Sequence, residues 1–123
     1  MQVIKRLGAG EPMRVPKDQY GNPTLSDNLA EGIMALLTLG KTGIYNVAGS
    51  DFMDRYSFAL LIADVFGLDK TLVSPIDTRS LGQKAKRPLR AGLVVEKIEK
   101  ETGVKMVGAR EGLMFVREKL RGR

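Results

Sequence analysis

Apolar residues recur along the chain at two spacings, one typical of helices and one typical of short strands. Val3, Ile4 and Leu7 lie on one helical face, and glycines at positions 8 and 10 follow them, as at many helix C-termini. Because this helix begins at the first residue with no capping residue before it, we expect it to be the end of a longer element. Two prolines then bound a short extended piece, Pro12–Pro16.

A turn and a longer helix are predicted in the stretch DQYGNPTLSDNLAEGI, Asp18 to Ile33. The sequence YGNP at its centre is typical of a turn, because the residue before a proline avoids the helical region. Thr24, with Asp27 three residues later, resembles a capping box and predicts a helix that runs to about Leu39. Its apolar spacing predicts four inward side chains: Leu29, Ile33, Leu36 and Leu37.

The remaining pattern predicts a buried strand, a capped helix and three further elements. GIYNVAG (Gly43–Gly49) is a glycine-bounded apolar run, which favours a strand. Asp54 is placed to cap a helix from about Arg55 to Phe66, and Gly67 to end it. A polar basic loop separates the remaining elements, which are an extended segment over residues 71–76 and helices over 94–102 and 110–120.

Strands that alternate with helices predict an α/β fold with a parallel or mixed sheet and crossover connections. Few short strands and about four helices are too little for a complete doubly wound domain. We therefore expect residues 1–123 to form a single unit that corresponds to half of such a domain. A half domain exposes apolar surface, so we expect it to form a homo-oligomer or to pack against the missing half.

The composition of the 123 residues narrows the chemistry. The absence of cysteine and histidine excludes disulfides, zinc–thiolate sites and a Ser-His-Asp triad. No apolar run approaches the roughly 20 residues of a membrane span. The N-terminus is too polar for a signal peptide, so we expect a cytoplasmic protein with no membrane partner. Abundant Lys, Arg and Glu with few Asn and Gln are typical of proteins from hot environments.

The net charge of +6 is unevenly distributed, with −2 over residues 1–78 and +8 over residues 79–123. Such a basic region could contact nucleic acid, an anionic ligand or an acidic partner, or be a solvated surface. The basic loop KAKRPLR (Lys84–Arg90) is the best candidate anion site, because Arg87 and Arg90 can grip phosphate through two donors each. The loop has no aromatic residue on which bases could stack, so a small diphosphate fits it better than a polynucleotide.

Known nucleotide-binding motifs do not fit the chain. GKT (Gly40–Thr42) lacks the first glycine of a phosphate loop, since position 35 is Ala35. A dinucleotide fingerprint starting at Gly8 would need its third glycine at Met13, and no strand precedes it. None of the three tyrosines is followed by lysine four residues later. We therefore assign no catalytic, cofactor-binding or metal-binding residue to this chain.

Four segments together resemble a known family. They are DQYGNPTLSDNLAEGIMALL, GIYNVAGSDFMDRYSFALLIADVFGLD, LVSPI and KAKRPLRAGLVVEKIEKETGVKM. In order and spacing they are similar to the C-terminal half of the dTDP-4-dehydrorhamnose reductase-like family, which belongs to the extended short-chain dehydrogenases. The resemblance extends from about Val3 to Leu120. It implies the C-terminal portion of a Rossmann-like fold, without the N-terminal half that binds NADP(H) and carries the catalytic Tyr–Lys pair.

The resemblance also implies a function and a set of substrate-binding residues. The parent enzymes reduce dTDP-4-dehydro-L-rhamnose or a similar 4-keto sugar nucleotide with NADPH. This chain would bind the nucleotide-sugar substrate without being catalytic alone, and would hold no cofactor itself. Tyr20, Asn22 and Thr24 would line the substrate side of the cleft, and Arg87, with Arg55 second, would contact the diphosphate.

Two other functions stay open at this point. The non-catalytic regulatory subunit of methionine adenosyltransferase belongs to the same group, so the chain could be a regulatory or interaction module. Nucleic-acid binding by the basic region is the third hypothesis, and it ranks last because it would require steeply salt-dependent affinity.

Overall fold

Short strands and helices alternate along residues 2–122, the part of the chain that the computed structural model describes. The α/β prediction is therefore confirmed. The elements are α1 (Gln2–Gly8), β1 (Met13–Pro16), β2 (Tyr20–Gly21), α2 (Ser26–Thr38), β3 (Met53–Asp54), α3 (Arg55–Phe66), β4 (Val73–Ile76), α4 (Thr78–Leu81), α5 (Glu96–Thr102) and α6 (Ala109–Arg121). Met1, where the sequence pattern starts the first helix, lies outside the described residues. Within them, none of the helices has the length and apolarity needed to cross a membrane.

The strands form two small sheets. β1 and β4 pair in parallel, from Met13 opposite Val73 to Pro16 opposite Ile76, and the connection between them contains α2 and α3. β2 and β3 pair in antiparallel fashion, with Tyr20 opposite Asp54. Mixed strand directions with a long crossover agree with the sequence prediction. Prolines are tolerated in the first sheet because, in the described part of the chain, each of its two strands pairs on one side only.

Helix α3 has the bounds that its end signals predict. The Asp54 carboxylate accepts a hydrogen bond from the Ser57 backbone N–H at 2.9 Å, and Gly67 ends the helix with a φ of 67°. The helix packs against α1, α6 and both strands of the parallel sheet. Its buried residues belong to two core clusters. One consists of Leu7, Val15, Ala59, Ala63 and Val73, and the other of Ile62, Val65 and Leu113. A further core cluster, to which α3 contributes no buried residue, consists of Ala48, Val95, Ile98 and Met106.

The segment Gly43–Gly49 is not the buried strand that its sequence predicts. Within the described residues it has no strand partner, and Ile44 is 84% exposed. Its last backbone N–H, that of Gly49, donates to the Thr24 hydroxyl at 3.0 Å. Strand propensity alone does not create a strand, because the backbone of a strand needs a neighbouring edge with which to pair.

Helix α2 buries only part of the predicted face, since Leu36 packs against the core cluster around Ile98 whereas Ile33 and Leu37 are exposed. Its buried residues are Asn28 and Gly32, and a Cβ at Gly32 would lie 3.0 Å from Val47 and 3.1 Å from Ile98. The helix therefore approaches its neighbours through its smallest side chain. The apolar α2 face, formed by Ile33, Met34 and Leu37, points away from this contact and is exposed.

Thr24 is not the cap of α2, as its sequence spacing predicts. The helix begins at Ser26, and the residue before it, Leu25, makes no side-chain capping bond. The Thr24 hydroxyl instead donates to the Asn22 carbonyl at 2.9 Å and accepts from the Gly49 N–H. A long-range contact thus occupies the hydroxyl that a capping box would use.

Asn28 ties α2 to the segment between α5 and α6. Its side chain is 3% exposed, donates to the Lys105 carbonyl at 3.0 Å and accepts from the Val107 N–H at 2.9 Å. The amide thereby pairs with the chain as a neighbouring strand would, which satisfies backbone groups that are costly to bury unpaired.

Asn28→Ala is expected to lower the free energy of unfolding by about 2 kcal/mol, because it removes two buried hydrogen bonds and leaves the Val107 N–H unsatisfied. Chemical denaturation monitored by circular dichroism measures this change. Asn46→Ala is the matched control, since Asn46 is exposed and its amide lies 3.5 Å from the Val94 carbonyl. Equal effects of the two substitutions would contradict the role given to Asn28.

Asp64 joins α3 to two basic side chains. Lys70 lies 2.9 Å and Arg110 3.0 Å from its carboxylate, and hydrogen bonds from these two residues hold the pKa of Asp64 below its ordinary value of 3.8. The folded state therefore binds this proton less tightly than the unfolded state. The resulting stabilisation is complete above pH 3.8 and is lost as the pH falls through the lowered pKa.

Asp64→Asn is accordingly expected to lower the thermal unfolding midpoint at neutral pH, and to have a diminishing effect as the pH falls below 3.8. Thermal melts of both proteins across this range measure the difference. Glu31→Gln, which removes one exposed charge from α2, controls for the change in net charge. A pH-independent difference between wild type and Asp64→Asn would contradict the assignment.

The α2 face is expected to cause self-association, because exposed contiguous apolar side chains associate in water. Leu37, which is 70% exposed, is the most accessible of them, so Leu37→Glu should shift the protein toward the monomer. Light scattering over a range of concentrations measures this. Leu120→Glu on α6 is the control for a charge at another exposed leucine. A wild type that stays monomeric at high concentration would disprove the expectation.

Candidate functional site

The turn between β1 and β2 is anchored on the start of α4. Both carboxylate oxygens of Asp18 accept from the Thr78 backbone N–H at 3.1 Å, and one accepts from its hydroxyl at 2.6 Å. The hydrogen bond from the Thr78 hydroxyl is the main cause that holds the pKa of Asp18 below its ordinary value of 3.8, and the bond from the Thr78 backbone N–H acts in the same direction. The carboxylate is therefore ionised at neutral pH and committed to this contact.

Gln19 connects the same turn to three further groups. Its side chain is buried, donates to the Thr78 hydroxyl at 3.1 Å and to the Gln83 carbonyl oxygen at 3.0 Å, and accepts from Arg55 at 3.4 Å. The backbone N–H of Arg55 also donates to the Gln19 carbonyl at 3.0 Å. This network sets the positions of the first residues of α3 and α4 relative to each other.

Asn22 and Thr24 lie beside the turn with their polar atoms engaged within the chain. The Asn22 amide donates to the Gly49 carbonyl at 2.8 Å and to the Leu93 carbonyl at 3.2 Å, and its oxygen accepts from the Leu93 N–H at 2.8 Å. Thr24 bonds to Asn22 and Gly49, as described above. Both side chains therefore hold the walls of the site together, and their substrate contacts stay a prediction.

Tyr20 connects the turn to the basic loop. Its backbone N–H donates to the Leu89 carbonyl at 2.7 Å, and its carbonyl accepts from the Ala91 N–H at 3.0 Å. The Tyr20 ring stacks on Phe52 with centroids 5.4 Å apart, and the Arg90 guanidinium lies 5.2 Å from the Tyr20 centroid. Two aromatic rings thus lie against a loop that contains none.

Arg87 lies on an exposed groove of about 710 Å³ that runs along α4 and the basic loop. Its polar lining includes Asp18, Thr78, Arg79, Ser80, Gln83, Lys84 and Lys86. Leu89, the residue that Tyr20 binds, lines the same groove. Within residues 2–122, no ion pair engages Arg79, Arg87 or the two loop lysines, whereas Arg6, Arg110, Arg117 and Arg121 each pair with a carboxylate.

Arg55 faces a neighbouring concavity rather than the Arg87 groove. That space, about 600 Å³, lies between α1, β1 and α3, and Gln83 lines both it and the groove. Arg55 also shares a small pocket of about 220 Å³ with Asn22. The predicted residues therefore do not line one space: Arg87 lies on the groove, Arg55 and Asn22 share the small pocket, and Thr24 lines a further pocket beside α6.

Sequence reasoning missed several residues that build this region. Gln19 and Gln83 carried no local signal, because their contact spans 64 positions of the chain. Phe52 also carried no local signal, because its contacts Tyr20 and Arg90 are distant from it in the sequence. The one available signal is the concentration of polar residues from Asp18 to Thr24, which the sequence pattern explains as a turn followed by a helix cap.

The N-termini of two helices are not available to a phosphate group. Carboxylates already occupy the N-termini of α3 and α6, where Asp54 bonds to Ser57 and Asp51 accepts from the Ala109 N–H at 2.8 Å. A pyrophosphate would be repelled from both. Within residues 2–122, no three carboxylates come together as potential metal ligands.

Several known proteins are similar to this chain in sequence and in fold. A family model described as RmlD substrate binding domain matches residues 1–121. The spore coat polysaccharide biosynthesis protein SpsK of Bacillus subtilis is 34% identical over 111 residues, which cover 90% of this chain and 38% of that protein. The probable low-salt glycan biosynthesis reductase Agl14 of Haloferax volcanii is 32% identical over 101 residues, covering 82% of this chain and 34% of that protein.

Among solved structures, dTDP-4-dehydrorhamnose reductase of Bacillus anthracis in complex with NADP aligns with a TM-score of 0.85 at 24% identity. The alignment covers 94% of this chain and 42% of that chain. The present chain thus spans between a third and about two fifths of the length of these proteins. The family resemblance predicted from the quoted segments is confirmed by a match over nearly every residue, and the chain belongs to the RmlD substrate binding domain family.

Proposed function

We propose that this chain is the substrate-binding portion of a sugar-nucleotide reductase, and that the Arg87 groove receives the diphosphate of the nucleotide sugar. The observation that carries the proposal is a set of four cations on one groove, none of which forms an ion pair within residues 2–122: Arg79, Lys84, Lys86 and Arg87. Arginine presents two parallel donors to a phosphate, which makes Arg87 the central contact.

The carboxylates near the groove do not neutralise these cations. Asp18 and Asp77 both line the groove, but Asp18 accepts hydrogen bonds from Thr78 and Asp77 lies 3.7 Å from Lys17. Their charges are thus directed at other partners, and the groove keeps a positive potential that attracts a diphosphate. Gln19 and Thr78 hold the floor of the groove in place, so the anion meets donors that are already positioned.

The names of the relatives support a sugar substrate and a reduction. One belongs to polysaccharide biosynthesis, another is a probable glycan biosynthesis reductase, and the B. anthracis protein of the same fold is a dTDP-4-dehydrorhamnose reductase seen with NADP. In the proposed reaction a 4-keto sugar nucleotide is reduced. NADPH would supply the hydride from a portion that corresponds to the rest of those longer proteins, while this chain binds and orients the substrate.

Arg87→Ala is expected to weaken binding of dTDP by about tenfold or more, since removal of a charge-assisted bidentate contact costs at least that much. Isothermal titration of both proteins with dTDP at low salt measures the change. Arg121→Ala is the control, because Arg121 is an exposed arginine that pairs with Glu118 at the end of α6. Equal dTDP affinity for wild type and Arg87→Ala would contradict the assignment of Arg87 as a diphosphate contact.

A second candidate is a non-enzymatic interaction module, which the α2 face and the unpaired segment Gly43–Gly49 favour. A partner polypeptide with an open strand edge could pair with that segment and cover Leu37 with its own apolar residues. The two candidates differ in the dTDP titration. If the wild type does not bind dTDP but forms a complex with a partner polypeptide, and Leu37→Glu abolishes that complex, the result would favour the interaction module over the reductase portion.

A further inference from the structure

We propose that Gln83 contacts the diphosphate in the Arg87 groove through its side-chain amide nitrogen, and that Gln19 is the positioning residue that turns this nitrogen toward the groove. The inference rests on the proposed function, because it concerns the same groove. It adds an uncharged hydrogen-bond donor to the cations of the groove, and a physical reason why this amide presents its donors and not its acceptor.

A branched chain of hydrogen bonds runs through the turn between β1 and β2. Arg55 donates to the side-chain oxygen of Gln19 at 3.4 Å. The side-chain nitrogen of Gln19 donates to the Thr78 hydroxyl oxygen at 3.1 Å and to the side-chain oxygen of Gln83 at 3.0 Å. The Thr78 hydroxyl in turn donates to the Asp18 carboxylate at 2.6 Å. The Gln19 amide is therefore the branching point of this network.

The two ends of the network fix the orientation of the Gln19 amide. A guanidinium can only donate hydrogen bonds, so Arg55 requires the oxygen of the amide. An ionised carboxylate can only accept, so Asp18 takes the Thr78 proton and leaves the lone pairs of the hydroxyl for Gln19. The reverse orientation would place donor against donor at Arg55 and acceptor against acceptor at Thr78. One orientation alone satisfies both ends.

The orientation of the Gln83 amide follows from that of Gln19. Because Gln19 supplies the proton of their shared bond, Gln83 accepts with its oxygen, and its nitrogen is left for another partner. Within residues 2–122 that nitrogen donates to no other group. Gln83 is exposed and lines both the Arg87 groove and the adjoining concavity that contains Arg55. The amide therefore offers its N–H donors to a ligand in the groove.

Gln19 is built into the fold firmly enough to hold this orientation. Its side chain is 6% exposed, and its backbone carbonyl accepts from the Arg55 N–H at 3.0 Å. A buried amide whose oxygen and nitrogen are both bonded cannot turn without leaving polar atoms unpaired, which is costly. The donors of Gln83 are thus oriented before an anion binds, and this lowers the ordering cost of binding.

An uncharged donor beside the cations affects which ligands the groove accepts. Lysine and arginine attract any anion through charge, and salt screens that attraction. An N–H donor in a fixed position also requires an acceptor atom at hydrogen-bond distance. A phosphoryl oxygen is such an acceptor, and its charge strengthens the bond. Gln83 therefore favours a ligand that places a phosphoryl oxygen beside α4 and disfavours one that presents a donor there.

The contact is tested by nuclear magnetic resonance titration of the whole ¹⁵N-labelled chain with dTDP. In the wild type we expect the side-chain amide protons of Gln83 to shift, and its nitrogen to show a scalar coupling to phosphorus across the hydrogen bond. Gln83→Ala should weaken dTDP binding by roughly tenfold, the scale of a hydrogen bond to a charged group. Gln83→Glu should weaken it further, because a carboxylate repels the diphosphate.

Gln2→Glu is the matched control for Gln83→Glu. Gln2 is an exposed glutamine on α1 that lines the concavity and not the groove. The substitution makes the same change of charge, and it should leave the dTDP affinity nearly unchanged.

Gln19→Glu tests the positioning role. A glutamate at this position accepts from Arg55 but has no proton for Gln83, so Gln83 would turn its nitrogen inward and present its oxygen to the groove. We expect weaker dTDP binding and loss of the coupling between Gln83 and phosphorus, with thermal melts to establish that the variant is folded. The Gln83 variants are at an exposed position and do not depend on the stability of Gln19→Glu.

A double-mutant cycle separates this reorientation from the added charge. In a Gln83→Ala background there is no amide to turn, so Gln19→Glu should weaken dTDP binding less than it does in the wild type. An equal effect in the two backgrounds would overturn the positioning role of Gln19.

The other outcomes separate the inference from the proposed function. If Arg87→Ala weakens dTDP binding but neither Gln83→Ala nor Gln83→Glu changes it, the Gln83 contact is wrong and the diphosphate groove stays intact. A saturated wild type without coupling between Gln83 and phosphorus would likewise overturn the contact. No binding of dTDP by the wild type would overturn both the inference and the proposed function.

Discussion

The hydrogen bonds of the Asn22 side chain hold the site together. One amide joins Gly49, the last residue of the segment Gly43–Gly49, to Leu93, which follows the basic loop. Asp18 and Asn28 make equivalent long-range bonds on either side of it, to Thr78 and to the chain around Lys105. In larger α/β domains a continuous sheet joins segments that are distant in the sequence. Within residues 2–122 the sheets are small, and hydrogen bonds of side-chain amides and carboxylates join such segments instead.

This arrangement explains which features could be predicted from the sequence. Helix α3 was predicted with its bounds because both of its end signals are local: Asp54 caps it and Gly67 ends it. The extended segments around Val15 and Val73 carried a local signal too. Thr24, by contrast, has the spacing of a cap, but its hydroxyl is used by Gly49 across the fold, which no short window of sequence can reveal.

The same division applies to the candidate site. The basic loop is visible as a run of charges, and its arginines were candidates from their chemistry alone. The aromatic character of the site was not predictable, because Phe52 and Tyr20 come from other segments and meet the loop only after folding. The outward face of α2 was mispredicted as core, since apolar spacing shows which residues share a face and not whether anything covers it.

The attachment of Tyr20 to both sides of Arg90 has a kinetic consequence. Two backbone hydrogen bonds tie the end of the basic loop to Tyr20, and the side chain of Gln83, just before the loop, is bonded to Gln19, which limits the closing motion of the loop. Capture of an anion would then proceed at the rate of encounter, with ionic strength as its main control. A loop held in this way favours rapid capture of an anion over adjustment of its shape to different anions.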